Sequence, residues 1–517
     1  MKFTKQDIKQ IEDKGLNLKS VENQLLHLTR STSFVNLHSP AIIGDGIIKF
    51  SDEESQYFAT FFDAHKKGKS VIKFVPASGA ASRMFKSLYT FLDNYDINKE
   101  TINSYVNRTK SVDLFLFFVT VEKLPFHDEV FEVLKNHFPE FKLLPLDKRR
   151  LLFVEFLLSK KYFDFGEYPK GLLPFHNYKT HISTAFEEHL VEASQYAAID
   201  GNATLHFTIS NQHQNQFLEH YNSIKEIVES KTNTSFDISY SFQDSKTDTI
   251  AITLDNKPFK IDGKLLFRPS GHGALLHNLN AIDADLIFIK NIDNVMMQHC
   301  MDEMVYYKTI LGGYLLKIQS KAFDYAHQLD QANISEEKIN EIANFLSDQM
   351  NVHISSEFEK YANHYKIDYL KSRIHRPIRV CGMVKNEGEP GGGPFWIKHE
   401  NGELSLQIVE MNQINTKSES QNKIIKSATH FNPVDIVCGV RNYKGEKYDL
   451  KQFVDAKTHF VAIKNKYGKK LKTLERPGLW NGGMALWNTV FVEVPLSTFN
   501  PVKKVHDLLK APHQLEV

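Results

Sequence analysis

Apolar positions along the 517-residue chain change period several times, and the changes mark out the elements. Residues 4–30 space their apolar side chains as an amphipathic helix. SDEESQYFATFFDAHKKG (Ser51–Gly68) reads as a second helix, with Ser51 as N-cap and acids in the first turn. A strand, Val71–Val75, follows and stops at Pro76. Ala77, Ser78, Gly79, Ala80, Ala81 and Ser82 crowd small side chains into the next turn, and Arg83 opens a helix through Met84–Leu92. From about residue 96 to 165 the pattern is helical and rich in Phe and Leu, as in HDEVFEVLKNHF and LDKRRLLFVEFLLSKKYF. Apolar runs then predict strands at Ala203–Ser210, Ser235–Phe242, Thr249–Leu254 and Ala284–Asp293, with helices such as QNQFLEHYNSIKEIVESK among them. Past residue 300, helices lead into a second strand-rich section from Ile378 to about Val494. Strands alternating with helices predict an α/β fold around a mostly parallel sheet. No repeat, low-complexity tract or Pro/Ser-rich linker interrupts the chain, so its lobes are expected to pack together.

Composition narrows the classes. Hydrophobic residues make up 42% and charged residues 24%, enough for a large core. A net charge of +1 gives no global pull toward nucleic acid or acidic membranes, and neither is expected as a partner. The basic stretch KNKYGKKLK (Lys464–Lys472) reads as a solvated hairpin or loop. Cys300, Cys381 and Cys438 are isolated, which argues against a disulfide framework or a cysteine zinc site. MKFTKQDIKQIEDKG lacks the apolar core of a signal peptide, and LFLFFVTV (Leu114–Val121) is too short to span a bilayer. A soluble, cytoplasmic protein is the expectation.

In open α/β sheets ligands sit beyond the carboxyl ends of the strands, so those positions carry the candidate chemistry. Small residues at 77–82 let backbone N–H groups approach a ligand closely, and a helix N-terminus favours an anion. Asp293, at the end of a buried strand near that loop, offers the hard oxygen a magnesium ion requires; the plainer alternative is a cap or turn residue. RPSGHGALLHNL (Arg268–Leu279) is a Gly-His-Gly turn entering a helix, and YPKGLLPFH (Tyr168–His176) sets a lysine after proline. His176, His181 and His189 form a loose series whose flanks read as a helix and its lead-in rather than as converging metal ligands. GEPGGGPFW (Gly388–Trp396) lacks the Lys-Ser/Thr of a P-loop and reads as a loop with flexible turns.

In order along the chain, these pieces resemble the UTP-dependent sugar-phosphate uridylyltransferases, the UDP-sugar pyrophosphorylases of the nucleotidyltransferase superfamily. ASGAASRM (Ala77–Met84) is similar to that family's glycine-rich loop, and Pro169–Pro174 to its Pro-Lys element. FTISNQHQ, SFQ with Gln243, Gly271-His272-Gly273 and the NIDN strand end follow in the same order. QIVEMNQI, HFN (His430–Asn432) and FNPVKKVHDLL (Phe499–Leu509) complete the series over residues 71–509. The resemblance implies a GT-A-like mixed, mostly parallel sheet with helices on both faces. An N-terminal helical segment (1–67) would precede a catalytic domain (68–510), with a helical insertion (96–165) and a sugar-side lobe from about 378. It implies a magnesium-dependent joining of a nucleoside triphosphate, UTP by resemblance, to a sugar 1-phosphate. Loop 77–82 and Arg83 would hold the triphosphate, Lys170 the α-phosphate region and Asp293 the magnesium. Gln243 and the backbone of Gly271 and His272 would read uracil; Lys503 would meet the sugar phosphate, and Glu410 and Asn432 the sugar hydroxyls.

The chain departs from the family in three places. Ser78 and Ala81 stand where glycines are usual, residues 96–165 separate Arg83 from Lys170, and Met411 follows Glu410 in place of tyrosine. These departures suggest a divergent bacterial branch. Two alternatives stand beside the main reading: a glycosyltransferase using a nucleotide-sugar donor, and an inactive nucleotide-binding protein of the same fold.

Overall fold

The computed structural model describes residues 3–30, 34–331, 334–388, 392–466 and 469–515. The chain divides into two compact units. Unit 1 holds Met1–Phe74, Ser241–Lys290 and Tyr306–Leu496; unit 2 holds Val75–Tyr240, Asn291–Val305 and Ser497–Val517.

Unit 1 is built on a mixed, mostly parallel sheet. Its strands run in the order Ile42–Ile43, Gly46–Ile48, Asn488–Glu493, Ile378–Lys385, His430–Gly439, Leu286–Lys290 and then the Val71–Phe74 part of strand Val71–Pro76. Only His430–Gly439 runs against its neighbours; the other pairings are parallel. Every second residue of the central strands (Ile287, Ile289; Cys381, Met383; Ile436, Cys438) enters one apolar core with Leu275 and Leu279, as the two-residue period of a strand requires.

A smaller antiparallel sheet carries the N-terminal helices of unit 1, with Ile11, Val21 and Leu25 against Ile250, Ile252 and Leu474. The single helix expected over 4–30 is two, Lys5–Asp13 and Leu18–Thr29. Gly15 takes φ 71°, a conformation that ends the first. Asn17 Oδ1 then accepts from the Lys19 N–H at 2.8 Å and caps the second. The helix expected after Ser51 forms as Asp52–His65 with a capping box between Ser51 and Glu54. Phe460–Lys466 and Lys469–Glu475 pair as a hairpin where a basic loop or hairpin was expected; Tyr467 and Gly468 at its tip lie outside the described residues, as do Glu389–Gly391 of the glycine-rich stretch.

Unit 2 holds the Phe-rich helices. Val112–Thr120, His127–His137 and Leu146–Leu158 are among them, and Phe85, Phe117, Phe126 and Phe141 are at most 2% exposed. The turn after strand Val71–Pro76 is tighter than expected. Ala81–Arg83 forms a 3₁₀ turn, and the α-helix begins only at Lys86 and ends at Asn94. Among the described residues, no helix is long and apolar enough to cross a membrane.

Candidate active site

In unit 2 the small-residue loop is stitched down at three points and open between them. The Ala77 N–H donates to Thr208 O at 2.7 Å, and Ser210 Oγ donates to Ser78 O at 3.0 Å. Ala80 bridges Pro169 through Ala81 N–H to Tyr168 O (3.1 Å) and Lys170 N–H to Gly79 O (3.1 Å). The Pro-Lys element, 87 positions on from Arg83 in the sequence, is thereby fixed against the loop. Gly79, Ala80, Ser82 and Arg83 remain exposed. A Cβ added at Gly79 would meet nothing within 4 Å.

Beside this loop lies one carboxylate shared by two lysines. Asp293 Oδ2 accepts from Lys170 Nζ at 2.7 Å and from Lys503 Nζ at 2.9 Å. The strand ends at Lys290, so Asp293 lies three residues beyond it, in a turn, and is only 8% exposed. Burial alone would raise its pKa, but the two ammoniums hold it far below the carboxylate range. The Lys170 side chain is 13% exposed. Burial lowers its pKa; Asp293 opposes that shift, while the charges of Lys503 and Arg83 add to it. Two ammoniums on one carboxylate leave a net positive cluster.

Backbone bonds set this geometry. Asp507 Oδ2 accepts from the N–H groups of Lys503 (2.8 Å) and Lys504 (2.7 Å), and Val502 N–H donates to Asp293 O at 3.0 Å. Asn294 Oδ1 accepts from Asn500 N–H at 2.8 Å, while its fully buried Nδ2 has no partner. Sequence reasoning singled out neither Asp507 nor Asn294. Of the histidine series, His176 Nδ1 lies 2.8 Å from Glu188 and its Nε2 2.9 Å from His513 Nδ1, His181 meets Glu187, and His189 lies 3.3 Å from Ile292 O.

Among the described residues, no three His, Cys, Asp or Glu side chains gather as a metal ligand set. Lys503 Nζ also lies 3.2 Å from Asp293 Oδ1, so both carboxylate oxygens face an ammonium. A magnesium ion held by the protein alone does not fit this donor set, because its one hard ligand is already neutralised and a second is missing.

Unit 1 gathers four of the five residues expected to meet base and sugar. Gly271 takes φ 58° at the start of helix His272–Ala281, a turn open to glycine. The His272 ring lies 4.1 Å from that of Trp480, and Leu479 N–H donates to His272 O at 3.3 Å. Asn481 Oδ1 accepts from Gly478 N–H at 2.7 Å, and its Nδ2 donates to Glu410 at 2.9 Å. Burial, and then the charge of Glu475, raise the Glu410 pKa. Gly392 completes the chain of contacts. A Cβ there would lie 3.7 Å from Glu410 Cγ, and its carbonyl accepts from Asn432 N–H at 3.0 Å. Asn432 is 6% exposed and its Nδ2 has no partner.

Gln243 follows strand Ser235–Phe242, whose end is tied to Asn278 of the same helix through Ser241 and Phe242 (2.8 and 2.9 Å). That tie lies roughly 9 Å along the axis from His272.

A family model described as a domain of unknown function, DUF4301, matches residues 4–514. The chain belongs to that family. The comparison with curated proteins returned no match. Among solved structures, this DUF4301 chain is similar to a UDP-glucose phosphorylase of Trypanosoma brucei, with TM-score 0.45 and 12% identity over 97% of this chain and 77% of that one. It is similar to the UDP-glucose pyrophosphorylase of Leishmania major (TM-score 0.42, 12% identity, 97% and 77%). It is also similar to the UDP-N-acetylglucosamine pyrophosphorylase of Trypanosoma brucei (TM-score 0.49, 9% identity, 98% and 79%).

Trp480, Asn481 and Gly478 are the unit 1 residues that sequence reasoning missed. ERPGLWNGG (Glu475–Gly483) carried a signal in its Pro-Gly and Asn-Gly-Gly turns. Trp480 takes φ 61° and Val434, two residues from Asn432, φ 60°. Positive φ at bulky or β-branched residues costs about 1–3 kcal/mol and clusters at functional sites.

Proposed function

We propose that the chain is a nucleotidyltransferase that joins a nucleoside triphosphate, UTP by resemblance, to a sugar 1-phosphate. The observation that supports this reading is the Lys170–Asp293–Lys503 cluster, net positive and beside an exposed loop of small residues. In the reaction a phosphate oxygen of the sugar 1-phosphate attacks the α-phosphorus. The bond from that phosphorus to the oxygen bridging to the β-phosphate breaks, and pyrophosphate leaves with the electron pair. The nucleophile is already an anion, so no general base is needed; the barrier is charge crowding, which fixed cations lower.

In this reading loop 77–82 and Arg83 hold the triphosphate, Lys170 faces the α-phosphate and Lys503 the sugar phosphate. Asp293 pairs with both ammoniums and aims them, and magnesium arrives with the nucleotide as part of the substrate. Gln243 and the Gly271–His272 turn take the base, and Glu410 and the unpartnered Nδ2 of Asn432 take sugar hydroxyls. The test is pyrophosphate release across a panel of nucleoside triphosphates and sugar 1-phosphates. Release that needs both substrates is expected. Donor hydrolysis without it points to the glycosyltransferase alternative, and nucleotide binding without turnover to the inactive one.

A further inference from the structure

One cavity of unit 1 takes no part in the roles above. It encloses about 430 Å³, a volume suited to a small molecule, and is lined by Arg373, Arg376, Lys398, Glu403, Trp487 and Asn488, with others. Its place along the strands separates it from a nucleotide position. Strands Ile378–Lys385 and Asn488–Glu493 run parallel from Ile378 opposite Asn488. Both point the same way as Leu286–Lys290, since His430–Gly439 is antiparallel to Ile378–Lys385 and to Leu286–Lys290. Arg376 and Asn488 therefore mark the amino ends, whereas nucleotides are expected beyond the carboxyl ends, roughly 25 Å away along an eight-residue strand.

The walls carry four Lys and Arg side chains against three acids, Glu400, Glu403 and Asp455, and hold unused donors. Glu403 pairs with Arg373, and Glu400 with Lys457 at 2.8 Å. Arg376 donates from Nε to Ser372 O at 2.9 Å, and among the described residues it has no carboxylate at ion-pair distance. Burial, and then the neighbouring charge of Arg373, push its pKa down to about 10. Arg373 Nε is buried without a partner. So is the indole Nε1 of Trp487, a residue 4% exposed. A buried N–H left unbonded costs about 1–3 kcal/mol, which an acceptor on a ligand would recover.

We propose that this cavity is a second ligand site, an effector site that takes a small phosphomonoester. The dianionic phosphate meets the Arg376 fork beside Arg373, geometry that guanidinium matches with two parallel bonds. An oxygen of the organic part accepts from Trp487, and the volume left by the phosphate houses that part.

Calorimetric titration with glucose 6-phosphate tests the proposal, because that sugar has no anomeric phosphate and cannot act as the nucleophile proposed above. Saturable binding is expected, with a change in tryptophan emission that Trp487→Phe removes while Trp396 and Trp480 remain. Arg376→Gln should weaken binding by about ten- to a hundredfold, the worth of one hydrogen bond to a charged group. Lys398→Gln supplies a second variant if Arg376→Gln fails to fold, and is expected to weaken binding in the same direction. Lys503→Gln should leave the affinity unchanged. The proposal fails if neither glucose 6-phosphate nor ribose 5-phosphate binds, or if folded Arg376→Gln or Lys398→Gln binds as the wild type does. It fails too if only Lys503→Gln loses binding, which assigns the ligand to the cationic cluster of unit 2. Equally tight binding of citrate overturns the phosphomonoester assignment.

Discussion

The two units prepare for ligands in different ways. Unit 2 sets buried polar and charged groups against one another: Asp293 with Lys170 and Lys503, and Glu188 with His176, whose far nitrogen meets His513. Around its expected base and sugar residues, unit 1 shows strained backbone at Val434 and Trp480 and an unpartnered Nδ2 at Asn432. Both arrangements cost stability, but they answer to different perturbations. Buried charge is sensitive to pH and to removal of one partner. Strain and orphaned donors are sensitive to shape.

The largest effect expected from this contrast is on folding. A strand-end acid read from the sequence would be replaceable with little loss. Here Asp293→Ala would leave the largely buried Lys170 ammonium and its neighbour Lys503 uncompensated, which costs about 3–5 kcal/mol when a buried pair is broken. Lys503 is 57% exposed and can resolvate, so the low end of that range is expected. Denaturant unfolding measures it; a loss under about 1 kcal/mol, the worth of a surface pair, would mean that the charge in unit 2 is not effectively buried.

Next in size is turnover. Lys170→Ala should lower pyrophosphate release by about 10²–10³-fold, as removal of one donor from a developing charge does. The same substitution should leave base selectivity unchanged if the proposed reading of the base by unit 1 holds. Steady-state kinetics with two nucleotides separates the effects, and an altered selectivity would break the division of labour.

How much of this was legible in the sequence follows the same line. Lys170, Lys503 and the 77–82 loop lie in turns beside Pro, Gly or small residues, and Asp293 follows an apolar strand, so local pattern exposed them. Asp507 and Asn481 did not stand out. Each matters through the bonds it makes, Asp507 to Lys503 and Asn481 to Glu410, 71 positions away. A pattern read along the chain carries no information on the Asn481–Glu410 pair, and the bonds of Asp507 run to backbone N–H groups that no side-chain pattern marks. The two N-terminal helices were written locally, in Gly15 and Asn17, but the apolar period carried the reading across the break. The partners of Asp293 were not written locally at all, and they make it a buried counterion of two lysines.

A pH experiment sharpens the comparison at smaller amplitude. Burial pushes the pKa of His206 and His220 down to about 4 and that of His513, helped by His176, to about 3. All three belong to unit 2. With folded values below the unfolded 6.5, each contributes stability that is fully present above pH 6.5 and lost as pH falls toward its folded value. The slope is at most about 1.4 kcal/mol per pH unit for each group. Amide exchange followed from pH 7 to 5 should show protection falling first in unit 2. His513→Gln should flatten the dependence by one such share, and an unchanged slope would place the acid sensitivity elsewhere.

The smallest expected change compares two glycines. In unit 1, a Cβ at Gly273 would come 2.5 Å from Arg476 Cβ and 3.1 Å from its carbonyl oxygen, so Gly273→Ala must displace backbone. In unit 2, a Cβ at Gly79 would meet nothing within 4 Å, and its φ lies outside the left-handed region. Gly79→Ala should therefore be neutral or stabilise by about 0.4–1 kcal/mol, through the lower entropy of the unfolded chain. If loop 77–82 takes a triphosphate, that added methyl group intrudes on the space the phosphates need, and nucleotide binding weakens while stability does not. Thermal melting and nucleotide titration on the one variant give both readings. Weaker binding with undiminished stability is the signature of a residue kept small for its ligand. Unchanged binding would mean that the open space beside Gly79 belongs to solvent, and the phosphate would have to be sought at Lys170 and Lys503 alone.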